Sequence, residues 1–193
     1  MGVTMKKIIA LALVPVLSGC LSASSPRVKQ WLLEYKGQGS VRAAQPAKYE
    51  VGRVSQVLLR SPYNEMGIAV LRADDSIAFD PYNEYAVNPT AMLKGFVFDA
   101  MDASGLFGAV VNPSSSVNSQ ALAEVLVSRL ALDCRKKGER KAVASVCVRL
   151  VANDGKTLYA KGEGEADAKG GNYGAALSSA LSFALNSAFG QFR

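Results

Sequence analysis

Two segments decide the fold of this chain: Ala121–Leu132 (ALAEVLVSRLAL) and Ala142–Val151 (AVASVCVRLV). Both are rich in aliphatic and β-branched residues, which favour strands. The basic segment between them, Arg135–Lys141, contains a glycine and is typical of a hairpin tip. The sequence therefore predicts a long antiparallel hairpin.

Shorter strands are predicted on both sides of this hairpin along the chain. After it, Asn153-Asp154-Gly155 is a tight turn that leads into a strand at Thr157–Glu165. Before it, strands are predicted at Val28–Tyr35, Val51–Leu59, Met66–Leu71, Ile77–Phe79 and Leu106–Val111.

Two helices complete the predicted architecture. Asn88-Pro89 is an N-cap followed by proline in the first helical position, and apolar residues then recur at helical spacing up to Gly105. A second helix is predicted from Asn172 to about Phe189. The order of the elements predicts an α+β fold, with a mostly antiparallel sheet and two long helices packed on one face.

The N-terminus has the order of a secretory signal. Met5–Lys7 carries two lysines, Ile8–Val16 is an apolar run too short to span a bilayer, and small residues follow. With the block Leu17–Cys20, this segment resembles the bacterial lipoprotein signal, which implies that Cys20 becomes the acylated first residue of the mature protein. Leu21 and Ser22 stand where an aspartate would indicate the inner membrane, so the resemblance implies the outer membrane.

This interpretation divides the chain into three parts. Residues 1–19 are the predicted signal peptide, 20–27 a lipidated tether and 28–193 a single α+β domain that faces the periplasm. Several acyl chains anchor a protein stably, at about 0.8 kcal/mol for each buried methylene. At about 3.3 Å per extended residue, the short tether keeps the domain close to its membrane.

The chain carries a net charge of +6, and its basic residues are dense only at the hairpin tip. Because no aromatic residues are interleaved with these charges, nucleic acid is not an expected partner. The tip is either a solvated loop or a contact for anionic headgroups or an acidic protein.

Cys134 and Cys147 flank the same tip, in a compartment where disulfides form. Strictly paired strands would leave the two residues out of register, so a bridge requires Cys134 to curl back. A disulfide and two free thiols remain alternatives.

The residue types argue against catalysis. The chain has no histidine, which removes the usual general base and the commonest metal ligand. The carboxylates of Asp74 and Asp75 lie at a predicted turn, where aspartate is favoured for backbone reasons. Gly162-x-Gly164 lacks the spacing and the lysine of a phosphate-binding loop. We expect a binding or scaffolding domain with no catalytic residue, no metal site and no cofactor.

Three blocks of the sequence carry a second resemblance. They are Trp31–Tyr35, Phe79–Ala86 leading into Asn88-Pro89, and the helix end Ala103–Phe107. Together with the lipoprotein signal, these blocks resemble the auxiliary lipoproteins of ABC-type transport systems, of the paraquat-inducible lipoprotein type. The resemblance implies an outer-membrane lipoprotein that docks on an inner-membrane ABC transporter and its mammalian-cell-entry-type (MCE) protein and helps to move lipids across the envelope.

Aromatic residues of the first two blocks are candidates for partner contact. Trp31 and Phe79 are expected mainly in the core. Tyr82 and Tyr85 have polar neighbours, which suits an exposed contact.

The last helix contains no charged residue between positions 172 and 191. Charge depletion is typical of an interface core, so we expect Ser178, Ser182 and Asn186 to face a partner or a second copy of the chain, as in a homo-oligomer. On this hypothesis Ser182→Lys breaks assembly and leaves the monomer folded. The alternative is a poorly charged helix that is simply solvated.

Two functions therefore remain. The first is the accessory of an ABC/MCE-type lipid transport system, tied to the membrane through its N-terminal lipid. The alternative is a structural or assembly lipoprotein that stabilises another outer-membrane complex, such as a β-barrel.

Overall fold

The computed structural model describes residues 27–37 and 46–193. The predicted signal peptide, Cys20 and the tether up to residue 26 lie outside the described residues. Within the described part, neither helix combines the length and the apolar character needed to cross a membrane.

Eight strands and two helices make up the described part of the chain. The 15-residue helix α1 and the C-terminal 18-residue helix α2 lie at Pro89–Ala103 and Tyr173–Gly190. The strands are β1 Lys29–Trp31, β2 Tyr49–Leu59, β3 Gly67–Leu71, β4 Ile77–Tyr85, β5 Phe107–Val111, β6 Ala121–Asp133, β7 Lys141–Ala152 and β8 Thr157–Asp167.

Strand β6 organises the sheet. On one side it pairs antiparallel with β7 over its whole length, and β7 pairs antiparallel with β8, so the predicted hairpins at the end of the chain are confirmed. On its other side, Gly52–Leu59 of β2 lies parallel to Ala121–Val127, and Val70–Leu71 of β3 lies parallel to Leu132–Asp133. Strands β2 and β3 thus follow each other along the same edge of β6. Beyond them, β5 pairs parallel with β2, β4 pairs antiparallel with β3, and β1 pairs parallel with β4.

The predicted fold class is wrong, because the sheet is mixed rather than mostly antiparallel. Four of its ladders are parallel (β1–β4, β2–β5, β2–β6 and β3–β6), and three are antiparallel. The antiparallel ladders all join strands that are consecutive in the chain. The parallel ladders join strands distant in sequence, and no local turn signal announces them. Two helices, one of 15 residues and one at the C-terminus, are all that the described residues add to this sheet.

Both helices begin where the sequence predicts. The side-chain oxygen of Asn88 accepts hydrogen bonds from the backbone N–H groups of Thr90 (3.0 Å) and Ala91 (3.3 Å). The side-chain oxygen of Asn172 accepts one from Ala175 (3.0 Å). These caps satisfy N–H groups that the first turn of a helix leaves unpaired.

Helix α2 lies unusually close to β8. An added Cβ at Gly162 would overlap the carbonyl oxygen of Ala184, and one at Gly164 would overlap that of Ala180. The two glycines therefore let the helix backbone approach the strand, which is a packing role. This close approach lets α2 bury its apolar residues in the core, among them Leu177, Leu181, Leu185 and Phe189.

The disulfide between Cys134 and Cys147 is not formed, and both residues are free cysteines. In the β6–β7 ladder Cys147 lies opposite Leu126, whereas Asp133, the neighbour of Cys134, lies opposite Lys141. The two cysteines are therefore about 20 Å apart along the strands at about 3.3 Å per residue, far beyond the roughly 7 Å that a disulfide allows between Cα atoms.

Candidate docking surfaces

One line of side chains on the outer face of α2 is covered by the chain itself. After β1, the segment Leu32–Gly37, which we call the N-terminal strap, leaves the sheet and crosses the helix. The backbone N–H of Glu34 donates to the hydroxyl of Ser178 (3.1 Å), and that of Lys36 donates to the hydroxyl of Ser182 (3.0 Å). The predicted first strand, Val28–Tyr35, is therefore shortened to Lys29–Trp31.

Regular spacing makes this contact. Ser178, Ser182 and Asn186 recur every fourth residue and so form one line along the helix. Glu34 and Lys36, two residues apart in the strap, each meet a serine. Between them the hydroxyl of Tyr35 donates to the Asn186 side chain (2.7 Å). Burial raises the pKa of Tyr35, while the hydrogen bond to Asn186 acts against that rise.

The predicted partner contacts on α2 are thus corrected. Ser178 and Ser182 are only 1% and 2% exposed, because the strap lies over them. Asn186 is half-buried and bonded to Tyr35. The line of Ser178, Ser182 and Asn186 is covered, but the cover is intramolecular, and Phe183 and Ser187 on the same helix stay exposed.

Strand β4 separates the two candidate tyrosines. Residues three apart on a strand point to opposite faces, and the strand continues to Tyr85 rather than ending at Phe79. Tyr82 is 50% exposed, so a contact there stays a prediction. Tyr85 is buried, and the prediction that it contacts a partner is wrong.

The hydroxyl of Tyr85 has no hydrogen-bond partner among the described residues. Its burial raises the pKa of this side chain. Phe79 is 42% exposed, against the expectation of a core residue, whereas Trp31 packs against the core as expected and donates to the Asn83 side chain (2.9 Å).

The basic hairpin tip is partly neutralised by acidic neighbours. Arg135 forms ion pairs with Asp133 (2.6 Å) and Asp75 (3.7 Å), and Lys141 pairs with Glu165 (3.0 Å). The side chains of Arg135 and Lys141 are 45% and 48% exposed, and surface pairs of this kind stabilise little. This arrangement favours the solvated-loop alternative.

A groove that the sequence does not signal lies between β2 and α1. We call it the β2 groove; its volume is about 780 Å³. Residues 54–58 of β2 form one wall, and Thr90, Lys94 and Phe98 on one side of α1 form the other, with Pro113 also in its lining. Lys94 is the one ionisable residue in this lining, which suits binding better than acid–base chemistry.

The groove exists because β5 stops early. The β2–β5 ladder ends at Arg53 opposite Val111, and Pro113 cannot donate to a ladder. The guanidinium of Arg53 also donates to the carbonyl oxygens of Pro113 and Ser115, at 2.9 Å each, and holds the loop that follows β5. Along Val54–Leu59, no described strand pairs with the outer edge of β2.

The described segments contain no cluster of metal-ligating side chains. They contain no group of three or more histidine, cysteine, aspartate or glutamate side chains placed to hold an ion. Among the described residues, the exposed part of β4 around Tyr82 and the β2 groove are two surfaces suited to contact with a macromolecule.

Solved structures resemble this chain in fold. Protein XCC0632 from Xanthomonas campestris, of family DUF330, is 16% identical with a TM-score of 0.59, over 86% of this chain and 90% of that one. An uncharacterised protein is 13% identical with a TM-score of 0.57, over 78% and 90%. The PelC dodecamer from Paraburkholderia phytofirmans is 14% identical with a TM-score of 0.41, over 74% and 90%.

The first two likenesses show a shared fold. No family model matches the sequence. No curated protein matches it either.

Proposed function

We propose that this chain is an outer-membrane lipoprotein, anchored through Cys20 and facing the periplasm. Its domain serves as an accessory of an ABC/MCE-type lipid transport system and docks on transport proteins without catalysing a reaction. The proposal rests on the three sequence blocks that resemble the auxiliary lipoproteins of such systems, and on where the fold places them.

The observation that carries the proposal is that the first block pairs with the second in the sheet, and that the second and third blocks flank the two ends of α1. Trp31 of the first block lies opposite Tyr85 of the second in the β1–β4 ladder, and its side chain donates to Asn83. The second block leads directly into α1. The third ends it, where the hydroxyl of Ser104 donates to the carbonyl of Met101 (2.6 Å) and accepts from the N–H of Leu106 (3.2 Å).

This arrangement supports docking rather than chemistry. The blocks hold both ends of α1, and α1 forms one wall of the β2 groove. That groove is lined by apolar and uncharged polar side chains and a single lysine, so it offers a recognition surface and no acid–base pair.

The anchor is tested by replacing Cys20 with alanine and fractionating the envelope. We expect an unprocessed or mislocalised precursor, because the cysteine is the only residue that the lipoprotein signal can acylate. Cys134→Ser is the matched control and should behave as wild type. Normal processing and outer-membrane retention of Cys20→Ala would contradict the anchor.

The transport role is tested by purifying the wild-type protein from membranes and identifying what comes with it. Recovery of an ABC permease or an MCE protein supports the proposal. Recovery of a β-barrel complex without transporter subunits supports the structural or assembly lipoprotein instead.

A further inference from the structure

We propose that the β2 groove is a strand acceptor: an extended peptide segment of a partner protein pairs with the outer edge of β2 along Val54–Leu59. The inference deepens the docking function proposed above and rests on it. It names the chemistry of the docked part, a β-strand rather than a helix or a lipid.

The first argument is a gap in the sheet. Strands β2 and β3 follow each other beside β6, and the next row outward holds β5 beside the start of β2 and β4 beside β3. Between these two strands the row is empty in the described structure, from the end of the pairing at Arg53 to the hydrogen bond between the N–H of Tyr85 and the carbonyl of Met66. A strand placed there would complete the row.

The second argument is the chemistry of the exposed edge. A strand edge presents backbone N–H and C=O groups that need partners once water is removed. An acyl chain in the groove would bury these groups without hydrogen bonds, which is costly. An extended peptide would pair with them, as in recognition by strand addition, so the edge favours a peptide over a lipid.

The third argument is size. The residues from Val54 to Leu59 span about 20 Å at about 3.3 Å per residue. A bulge lies between Val54 and Gln56, so the regular part of the edge, Gln56–Leu59, pairs with a segment of about four or five residues. The groove volume of about 780 Å³ lies within the range of roughly 300–1,000 Å³ that is common for binding clefts.

The walls of the groove indicate which peptides fit. Leu58, Phe98 and Pro113 offer apolar contacts, and Lys94 is exposed on α1. A strand presents alternate side chains to one surface. The acceptor should therefore prefer a segment with apolar residues at alternate positions and an acidic residue that meets Lys94.

Gly95 provides a clean way to block the groove. A Cβ at this position meets no atom within 4 Å, so a side chain can start there without overlapping the backbone. Gly95→Trp places an indole in the groove, and Gly95→Ala changes the same residue while leaving the groove open. Lys94→Glu reverses the charge, and Lys156→Glu, at the exposed turn between β7 and β8, is its control.

The experiment selects binders from a phage-displayed library of random decapeptides on the purified full-length protein, with prior subtraction on Gly95→Trp. The best peptide is then synthesised unmodified and in two N-methylated forms, one for each alternate set of backbone nitrogens, because only one set faces β2. Hydrogen exchange of the protein is measured with each form, and the loss of affinity is taken from the more affected of the two. N-methylation keeps the side chains and removes the donors of a β-ladder.

We expect the peptide to slow amide exchange within Val54–Leu59 and to lose at least tenfold in affinity on N-methylation. Gly95→Trp and Lys94→Glu should each weaken binding at least tenfold, whereas Gly95→Ala and Lys156→Glu should bind as wild type. Failure to enrich any peptide over the blocked variant overturns the proposal, as does a peptide that tolerates N-methylation of both alternate sets. Protection of Val54–Leu59 by phosphatidylglycerol vesicles or by self-association alone would identify a lipid or a second copy as the occupant and also overturn it.

The two proposals fail in different ways. If the peptide binds as described but no transporter subunit is recovered from membranes, the strand acceptor stands and the transport role fails. If transporter subunits are recovered equally well with Gly95→Trp and with wild type, docking stands and the strand acceptor fails.

Discussion

Two surfaces of the molecule are formed by a helix: the outer face of α2, and the β2 groove, one wall of which is α1. They differ in what covers them. The outer face of α2 has no charged residue, and the N-terminal strap covers Ser178 and Ser182 on it. The β2 groove has α1 as one wall, with the exposed Lys94 on it. On its other wall, no described strand pairs with the outer edge of β2 along Val54–Leu59.

The difference teaches what charge depletion measures. A helix face that another surface covers lacks charges, because covering a charge is costly, but a charge-free face is not always covered, since Phe183 and Ser187 of α2 are exposed. The pattern does not say whether that surface belongs to the same chain or to another. The groove carries no such pattern, because an exposed strand edge is made of backbone groups, which every residue has.

The largest effect on stability is expected at Ser182, on the covered face of α2. We expect Ser182→Lys to destabilise the monomer by about 3–5 kcal/mol, since it buries an ammonium group without a partner and removes the acceptor for the Lys36 N–H. Urea denaturation measures the loss.

Ser187→Lys, on an exposed position of the same helix, should stay within about 0.5 kcal/mol of wild type. A Ser182→Lys monomer of wild-type stability that fails only to assemble would return the α2 face to an intermolecular interface.

The inner side of α2 should be almost as sensitive. Gly164→Ala is expected to cost about 3 kcal/mol, because its methyl group would overlap the backbone of α2 and overpacking is not relieved by a side-chain rotation. Thermal denaturation measures the shift. Gly170→Ala, where an added Cβ meets no atom within 4 Å, is the control and should be near neutral.

Tyr85 separates burial from partner contact. Tyr85→Phe removes a buried hydroxyl that has no hydrogen-bond partner among the described residues, and we expect a gain of about 1 kcal/mol. Partner recovery should be unchanged, since the side chain is not at the surface. Loss of stability in Tyr85→Phe would reveal a hydrogen bond to that hydroxyl.

The same residue predicts a dependence on pH. Burial raises the pKa of Tyr85 in the folded protein, so folding keeps this side chain protonated. Ionisation of Tyr85 therefore costs no free energy of unfolding below the ordinary tyrosine pKa of about 10, and the free energy of unfolding falls as the pH rises above it. Urea titrations between pH 8 and 11 should show a shallower alkaline loss in Tyr85→Phe than in wild type; equal slopes would contradict the assignment.

The smallest effect is expected at the groove. Gly95→Ala should stabilise the protein by about 0.5–1 kcal/mol through helix propensity alone, because the added methyl group meets nothing. Chemical denaturation measures the gain. A loss of stability would mean that Gly95 is already covered.

Local patterns predicted a substantial part of the architecture. The hairpins of β6, β7 and β8 follow from strand-forming runs joined by turns, and α1 and α2 begin at Asn88 and Asn172 because capping is a local interaction. The mixed sheet was not predictable in this way. The parallel ladder of β2 with β6 joins Gly52 to Ala121 across β3, β4, α1 and β5, and no turn residue indicates such a pairing.

The candidate sites also differ in whether they depend on residues near in the chain or distant in it. By itself the sequence determined the charge-free face of α2, the caps of both helices, and the blocks that resemble auxiliary lipoproteins, because each depends on residues close together in the chain. Only the tertiary structure decided that the strap covers Ser178 and Ser182, that Tyr85 is buried, and that β5 stops short of Val54 and leaves an edge open. The physical reason is that burial and hydrogen bonding are properties of what lies opposite a residue, and the opposite residue is more than a hundred positions away for the strap and α2.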